Sequence, residues 1–443
     1  MRSTFTRRVV LPIAIAGVAG LGLVGCTGDI AAQNSAKVDC SPYDQYGTFK
    51  GAEVTMSSTI VEAEADKLIA SWKDFASCTG IKISYQGTRD FEGSIAQLAE
   101  GGNAPDIGIV PQPGLVSLLA SKGYLKPAPK SVEANVDKFW SPDWKAYATI
   151  NGTFYGAPML ASVKGYIWYS PAEFKKKGYQ IPKTLDELMA LTEKIAAEGD
   201  HLPWCAGVES GDATGWPATD WIEDFVLRLN GPDVYDQWVT HKIPFNDPRI
   251  VAAIDAAGQY LKNPKFIDTQ SIVSTPFQEG GLPILDGKCS LHHQASFYEV
   301  NWGNGVKVAP DGDVYAFLMP PAKAGDPLAV TGGGETVVAF HDGKAIDAVR
   351  TYMSSDRFAN LRVKQGGTVS ANNGVDPKNA SSPLLKQTIQ ILQDPKTTFR
   401  YDGSDLMPGA VGSNSFWKGM VAWLTGSSSQ QVANNIEASW PAA

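Results

Sequence analysis

Charge is scarce in this 443-residue chain: only 19 % of it is Asp, Glu, Lys or Arg, and the balance is −8. A nucleic-acid binder needs a basic stripe to displace counterions from phosphates, so that class is excluded, as is a polybasic reader of membrane surfaces. Gly-Lys-Ser/Thr is missing, and the triple glycine of Thr331-Gly332-Gly333-Gly334-Glu335-Thr336 is followed by an acid that repels phosphate. Neither G-x-S-x-G nor H-E-x-x-H occurs. The five histidines (His201, His241, His292, His293, His341) show no ligand spacing, and no two cysteines are close in sequence, which argues against zinc. His292-His293 points its rings to opposite sides of a strand, so at most one faces a site. No catalytic centre, metal or cofactor is expected.

What is present first is an address. Arg2, Arg7 and Arg8 precede an apolar run from Val9 to Val24, which is shorter than the roughly 20 residues of a bilayer-spanning helix. It has the layout of a secretory signal, and its end, Leu23-Val24-Gly25-Cys26, resembles the bacterial lipobox. That resemblance implies lipid on the Cys26 sulfur, loss of residues 1–25, and a lipid-anchored protein on the extracytoplasmic face of the membrane. The charge of the remainder would be about −11, because three arginines and no acids depart. Residues 26–46 are polar and small, as a tether should be.

About 400 residues beyond the signal are too many for one ordinary core, so two lobes are expected. Cys40, Cys78, Cys205 and Cys289 form an even set in an exported chain and read as two disulfides. Three pairings are open; Cys40–Cys78 with Cys205–Cys289 is preferred because each bridge then stays within one lobe.

Strand-like and helical periods alternate. Residues 52–56, 81–85 and 106–110 read as strands, 60–78 and 91–100 as helices, an order that gives parallel pairing with helices on both faces. Tyr166-Ile167-Trp168-Tyr169 opens a second such unit, and Thr184 with Glu187 predicts a capping box. Crossings are expected at about 163, at 313–330 and at 366–373. The lobes would be residues 47–162 with 330–370, and 163–329 with 371–443, joined by a three-segment hinge.

Several stretches combine carboxylates, donors and indoles. Arg89, Asp90 and Glu92 stand between a strand and a helix, where open α/β proteins place ligands. Carboxylates accept from hydroxyls, and Arg offers a rigid fork of donors. Glu209 and Trp216 flank flexible glycines; Trp204 and Trp221 nearby suit a core better. Glu335 can accept from a neutral ligand that the glycines let approach. Asp402 and Asp405 lie in a loop punctuated by Gly and Pro, and Phe416-Trp417 precedes a helix.

In order, these features resemble the solute-binding proteins of ABC importers: the maltose-binding-protein-like carbohydrate group, and within it the alpha-glucoside binders. The match rests on the Pro182–Leu188 helix opening, Glu209 before Trp216-Pro217, Phe416-Trp417, Arg89-Asp90-Phe91-Glu92 and the loop Arg400 to Pro408. Ser57-Ser58-Thr59 lacks the Asp-Lys pair of the maltodextrin type, which favours a smaller sugar. The resemblance implies a type II periplasmic-binding-protein-like α/β fold, each lobe a parallel-rich sheet flanked by helices. It implies a monomer that closes on a sugar, docks on a permease and relies on an ATPase in another chain. Substrate contacts would be Arg89, Asp90, Glu92, Glu209, Trp216, Glu335, Asp402, Asp405, Phe416 and Trp417. The rival readings are a lipid-anchored glycoside hydrolase or lyase using a cleft carboxylate pair, and a binder of peptides, polyamines or metal.

Overall fold

The computed structural model describes residues 38–441. Cys26, the apolar run before it and most of the tether lie outside the described residues. The strand Glu53–Ser58 alternates exposed and buried positions and pairs in parallel with Lys82–Gly87 and Ile107–Val110. The helices Glu62–Thr79 and Phe91–Glu100 make the crossovers. The first buries Leu68, Trp72 and Phe75 and stops at Gly80, whose left-handed φ of 75° lets its N–H close on Ala76 O. Ala329–Ala339 then runs antiparallel to Ile107–Val110 and to Ala157–Val163, and parallel to Thr398–Tyr401, completing six strands.

A second sheet has four strands: Tyr315–Leu318, Tyr166–Tyr169, Cys289–Gln294 and Leu202–Trp204 in spatial order. Two of its three pairings are antiparallel. The parallel-rich expectation therefore holds for the first three strands of the chain and not for this sheet. The reason is the path: Tyr166–Tyr169 carries the chain out of the first sheet and Tyr315–Leu318 carries it back. Neighbouring outward and return strands must oppose each other. The helix Trp216–Val239, broken at Gly231-Pro232, packs with Pro248–Leu261 around Trp204, Trp221, Phe225 and Trp238 to form the core of this half.

Some sequence boundaries shift. Ser41–Tyr46 is a 3₁₀ turn with Tyr43 buried against Phe75 and Tyr352, so the polar segment is packed before Tyr46 is reached. Residues 366–373 do not carry the chain away; Val369 O accepts from Ala161 N at 3.1 Å, behind the crossing strand. Thr398–Tyr401 still belongs to the six-stranded sheet, and the chain leaves that sheet at Asp402. The capping at Thr184 forms, with Thr184 Oγ1 accepting from Glu187 N at 3.2 Å, while Glu187 reaches Lys183 N rather than the cap's own N–H.

Both bridges, Cys40–Cys78 and Cys205–Cys289, are formed. The second closes a loop with a sequence separation of 84 residues between parallel neighbours Leu202–Trp204 and Cys289–Gln294. Replacing both Cys205 and Cys289 by Ser is expected to cost about 4 kcal/mol, read as a lower urea midpoint, since a long loop regains its freedom on unfolding. An unchanged midpoint would show that the bridge adds nothing to the paired strands.

Candidate functional site

A cleft of about 1180 Å³, including its mouth, lies between the two sheets. One wall comes from the carboxyl ends of the parallel strands: residues 59–64, Arg89, Glu92 and Gln112. The opposite wall is aromatic, with Trp216, Phe277 and Phe297; Trp216 meets Phe277 edge-on at 4.9 Å and Phe297 at 6.2 Å. Ser162, Lys164, Gly333, Glu335, Asp402, Asp405 and Trp417 close the floor. Among the described residues no helix is long and apolar enough to cross a membrane.

Glycine shapes that floor by allowing close approach. A Cβ at Gly332 would lie 2.4 Å from Ser162 O, and one at Gly334 2.3 Å from Leu160 O, so neither position admits a side chain beside Ala157–Val163. Gly333 between them points the other way, and the nearest atoms to its Cβ would belong to Asp405 and Lys164 at 3.7 Å and Ser162 at 3.8 Å, ordinary van der Waals distances. It leaves open space over the sheet where a ligand can lie. Gly215 has φ 112° and its Cβ would fall 2.2 Å from Trp417 O, so the start of the Trp216 helix is pressed onto the backbone of Trp417. That contact brings the backbones of Gly215 and Trp417 together at the floor.

Beneath the floor sits a buried ionic knot. Lys164 lies at the first crossing, between Ala157–Val163 and Tyr166–Tyr169, and its Nζ donates to Asp220 Oδ1 at 2.8 Å and to Asp402 Oδ2. It also stands 5.3 Å over the Trp216 ring. Glu223, one turn beyond Asp220, accepts from Gly403 N at 3.0 Å and Ser404 N at 2.9 Å. Burial alone would raise Asp402, but Lys164, hydrogen bonds from Ser404 and the neighbouring Glu223 bring it down to about 2. Burial pushes Asp220 and Glu223 well up. The two aspartates and Glu223 bring oxygens within 4.8 Å of one another, a spacing a cation can use, yet the lysine ammonium already sits on two of them. A further buried carboxylate, Asp224, is held below the usual range by Arg228, His293 and Thr331 in spite of its burial.

The carboxyls facing the cleft behave differently. Burial pushes Glu92 up to about 7, with Gln112 Nε2 donating to it at 3.1 Å. Glu335 is pushed up to about 8 by burial and by the nearby Glu64. Burial also raises Asp405 well above the ordinary range, assisted by Asp402. Both cleft cations are engaged, Arg89 with Glu62 at 2.9 Å and Lys164 in the knot.

Of the ten residues expected at the site, Arg89, Glu92, Trp216, Glu335, Asp402, Asp405 and Trp417 line the cleft. Trp417 does so by an edge: it is 4 % exposed, with Nε1 buried and unpartnered. Asp90 is exposed at the rim, beside Gly211 of the opposite half. Glu209 turns onto its own loop, accepting from Gly211 N at 2.7 Å. Phe416 is not at the cleft: it is 0 % exposed and packs on Trp238 and Phe245, so the aromatic pair divides into one core ring and one site ring. Adjacent helical residues point about 100° apart, which makes that division unavoidable. Trp204 and Trp221 are core, 5.0 Å apart. Lys164, Gln112, Phe277, Phe297, Asn301 and Glu64 also line the cleft. Lys164 had a legible signal, a lone cation between two apolar strands; the others carried none.

The chain matches the family model of bacterial extracellular solute-binding proteins over residues 60–356. It is 37 % identical over 384 residues to the alpha-glucosides-binding periplasmic protein AglE of Rhizobium meliloti (strain 1021), covering 83 % of this chain and 82 % of that one. It is 34 % identical over 394 residues to the osmoprotective compounds-binding protein GgtB of Synechocystis sp., covering 88 % and 92 %. The solved structure of the bacterial solute receptor AcbH, which prefers b-D-galactopyranose, superposes with a TM-score of 0.76 at 16 % identity, over 87 % of this chain and 98 % of that one. The fold is thus shared with a known solute receptor, and this chain belongs to the bacterial extracellular solute-binding protein family.

Proposed function

We propose that this protein captures a small α-glucoside or related neutral oligosaccharide outside the cytoplasmic membrane and delivers it to the permease of an ABC importer. The observation that carries this reading is the cleft itself: indole and phenyl faces on one wall oppose carboxyls, an arginine and an amide on the other. Pyranose rings offer C–H faces to stack on aromatics and a belt of hydroxyls for the polar wall. The Rhizobium relative, 37 % identical across most of the chain, is an alpha-glucosides-binding protein and points the same way.

Trp216 stacks on a sugar ring, Arg89 donates to hydroxyls, and Glu92, Glu335 and Asp405 exchange hydrogen bonds with them. The halves, one built on the six-stranded sheet and the other on the four-stranded sheet, close by bending at the crossings near Lys164, 318–329 and Asp402. A monomer tethered through lipid on Cys26 presents the closed shape to the permease. The protein performs no turnover in this reading. Asp402, which a glycosidase would need free beside Asp405, is spent on Lys164 and Ser404.

Isothermal titration against maltose, trehalose, sucrose, spermidine and a mixed tripeptide, with an aryl α-glucoside hydrolysis assay alongside, tests this. One glycoside should bind with a micromolar-class Kd, roughly −8 kcal/mol, without release of aglycone. Binding of spermidine or the peptide and of no sugar would overturn the reading.

A further inference from the structure

We infer that Glu335 meets the ligand as a neutral carboxylic acid, donating a hydrogen bond to an oxygen that can only accept, a ring or glycosidic oxygen. This rests on the sugar-capture reading and specifies one contact within it.

Glu335 follows the glycines Gly332–Gly334 on the strand Ala329–Ala339, at an irregularity in its pairing with Ala157–Val163, and so faces the cleft where Gly333 leaves room. Its Oε2 is buried and has no hydrogen-bond partner. Such an atom costs stability until a partner reaches it, and the residue is only half-buried where it lines the cleft.

The charges around it decide its state. The cleft is lined by the acids Glu62, Glu64, Glu92, Glu335, Asp402 and Asp405 but only two cations, and Arg89 and Lys164 are held by Glu62 and by Asp220 with Asp402. The groups that face Glu335 are Glu64 from the helix Glu62–Thr79, Lys164 from the crossing, Arg362 from Asp356–Lys364, and the phenols Tyr85 and Tyr401. Arg362 and Lys164 favour its charged form; burial and Glu64 oppose it more strongly, and its proton is held up to about pH 8. Arg362 Nη1 is already donating to Gly366 O at 3.1 Å.

A carboxylate only accepts, whereas a carboxylic acid donates one hydrogen bond as well. Hydroxyls satisfy either form. Ring and glycosidic oxygens repel the carboxylate and receive the acid. At neutral pH the free protein is therefore mostly in the competent form, and the apparent Kd scales inversely with the fraction protonated.

The test is calorimetric titration of the full chain with maltose, trehalose and sucrose between pH 6 and 9, for wild type, Glu335→Gln and Glu335→Ala. Circular dichroism confirms folding at each pH. For wild type, the tightest of these sugars should bind about tenfold more weakly at pH 9 than at pH 7. E335Q keeps an N–H donor, so it should stay within about threefold of wild type at pH 7 and show no loss at pH 9; E335A should be weaker at every pH. A wild-type Kd flat across the range, or E335Q retaining the full pH dependence, overturns the donor role and leaves sugar capture standing. Failure of wild type to bind any of the three sugars at pH 6 overturns both.

Discussion

Lys164→Met is expected to lower the unfolding free energy by about 3–5 kcal/mol, because it strands the Asp402 carboxylate in the interior without its cation and leaves Asp220 without its donor. The pair itself contributes far less than that, since Coulomb attraction mostly offsets the desolvation of its members. Removing one partner exposes the full penalty on the other. Urea unfolding at pH 7 measures it. The position makes the consequence larger than a core defect: Lys164 sits at the crossing between sheets, Asp220 on the helix that carries Trp216, and Asp402 where the chain last leaves the first sheet. All three must keep register for the cleft to keep its shape. K164M should therefore also weaken sugar binding, whereas Lys164→Arg should recover part of the stability. A loss below about 1 kcal/mol would mean that the aspartates are neutralised by protons and that the lysine is a bystander.

Trp216→Ala is expected to weaken sugar binding about 100-fold, roughly 3 kcal/mol, with little change in the melting temperature of the free protein. The half-buried indole rests on Phe277, Phe297 and the Lys164 ammonium, all on the cleft side, and few core groups depend on it. Trp417 is the contrast. At 4 % exposure it acts as a core residue with one edge in the cleft, so Trp417→Ala should lose about 3–5 kcal/mol of stability as well as affinity. Calorimetry and thermal melts on the two variants separate the roles. Equal loss of melting temperature in both would assign Trp216 to the core.

The parallel start of the chain was legible because its two crossover helices carry a helical period and end on glycine, at Gly80 and Gly101, and the strand Glu53–Ser58 alternates. The second sheet was less so. Its strands Tyr166–Tyr169 and Cys289–Gln294 are buried at every position, and an unbroken buried run states neither direction nor partner. Site residues standing on sharp local signals, Trp216 before a proline and Glu335 after three glycines, fell in the cleft. Phe416 misled because adjacency in sequence says nothing about which of two neighbouring rings a helix turns inward. Phe277 sits in a turn and Phe297 in the 3₁₀ helix Ser296–Trp302, and only the fold brings them opposite Arg89 and Glu92.

The whole account depends on one arrangement, a sugar ring lying against Trp216 and touching the edge of Trp417 between the two sheets. Fluorine NMR of protein labelled with 5-fluorotryptophan reads it directly, with resonances assigned from single Trp→Phe variants and α-glucoside added to saturation. The expected result is a shift of the Trp216 and Trp417 signals while Trp204, Trp221 and Trp423, buried away from the cleft, stay in place. Saturable binding that leaves the Trp216 signal unmoved would place the ligand elsewhere and contradict the account.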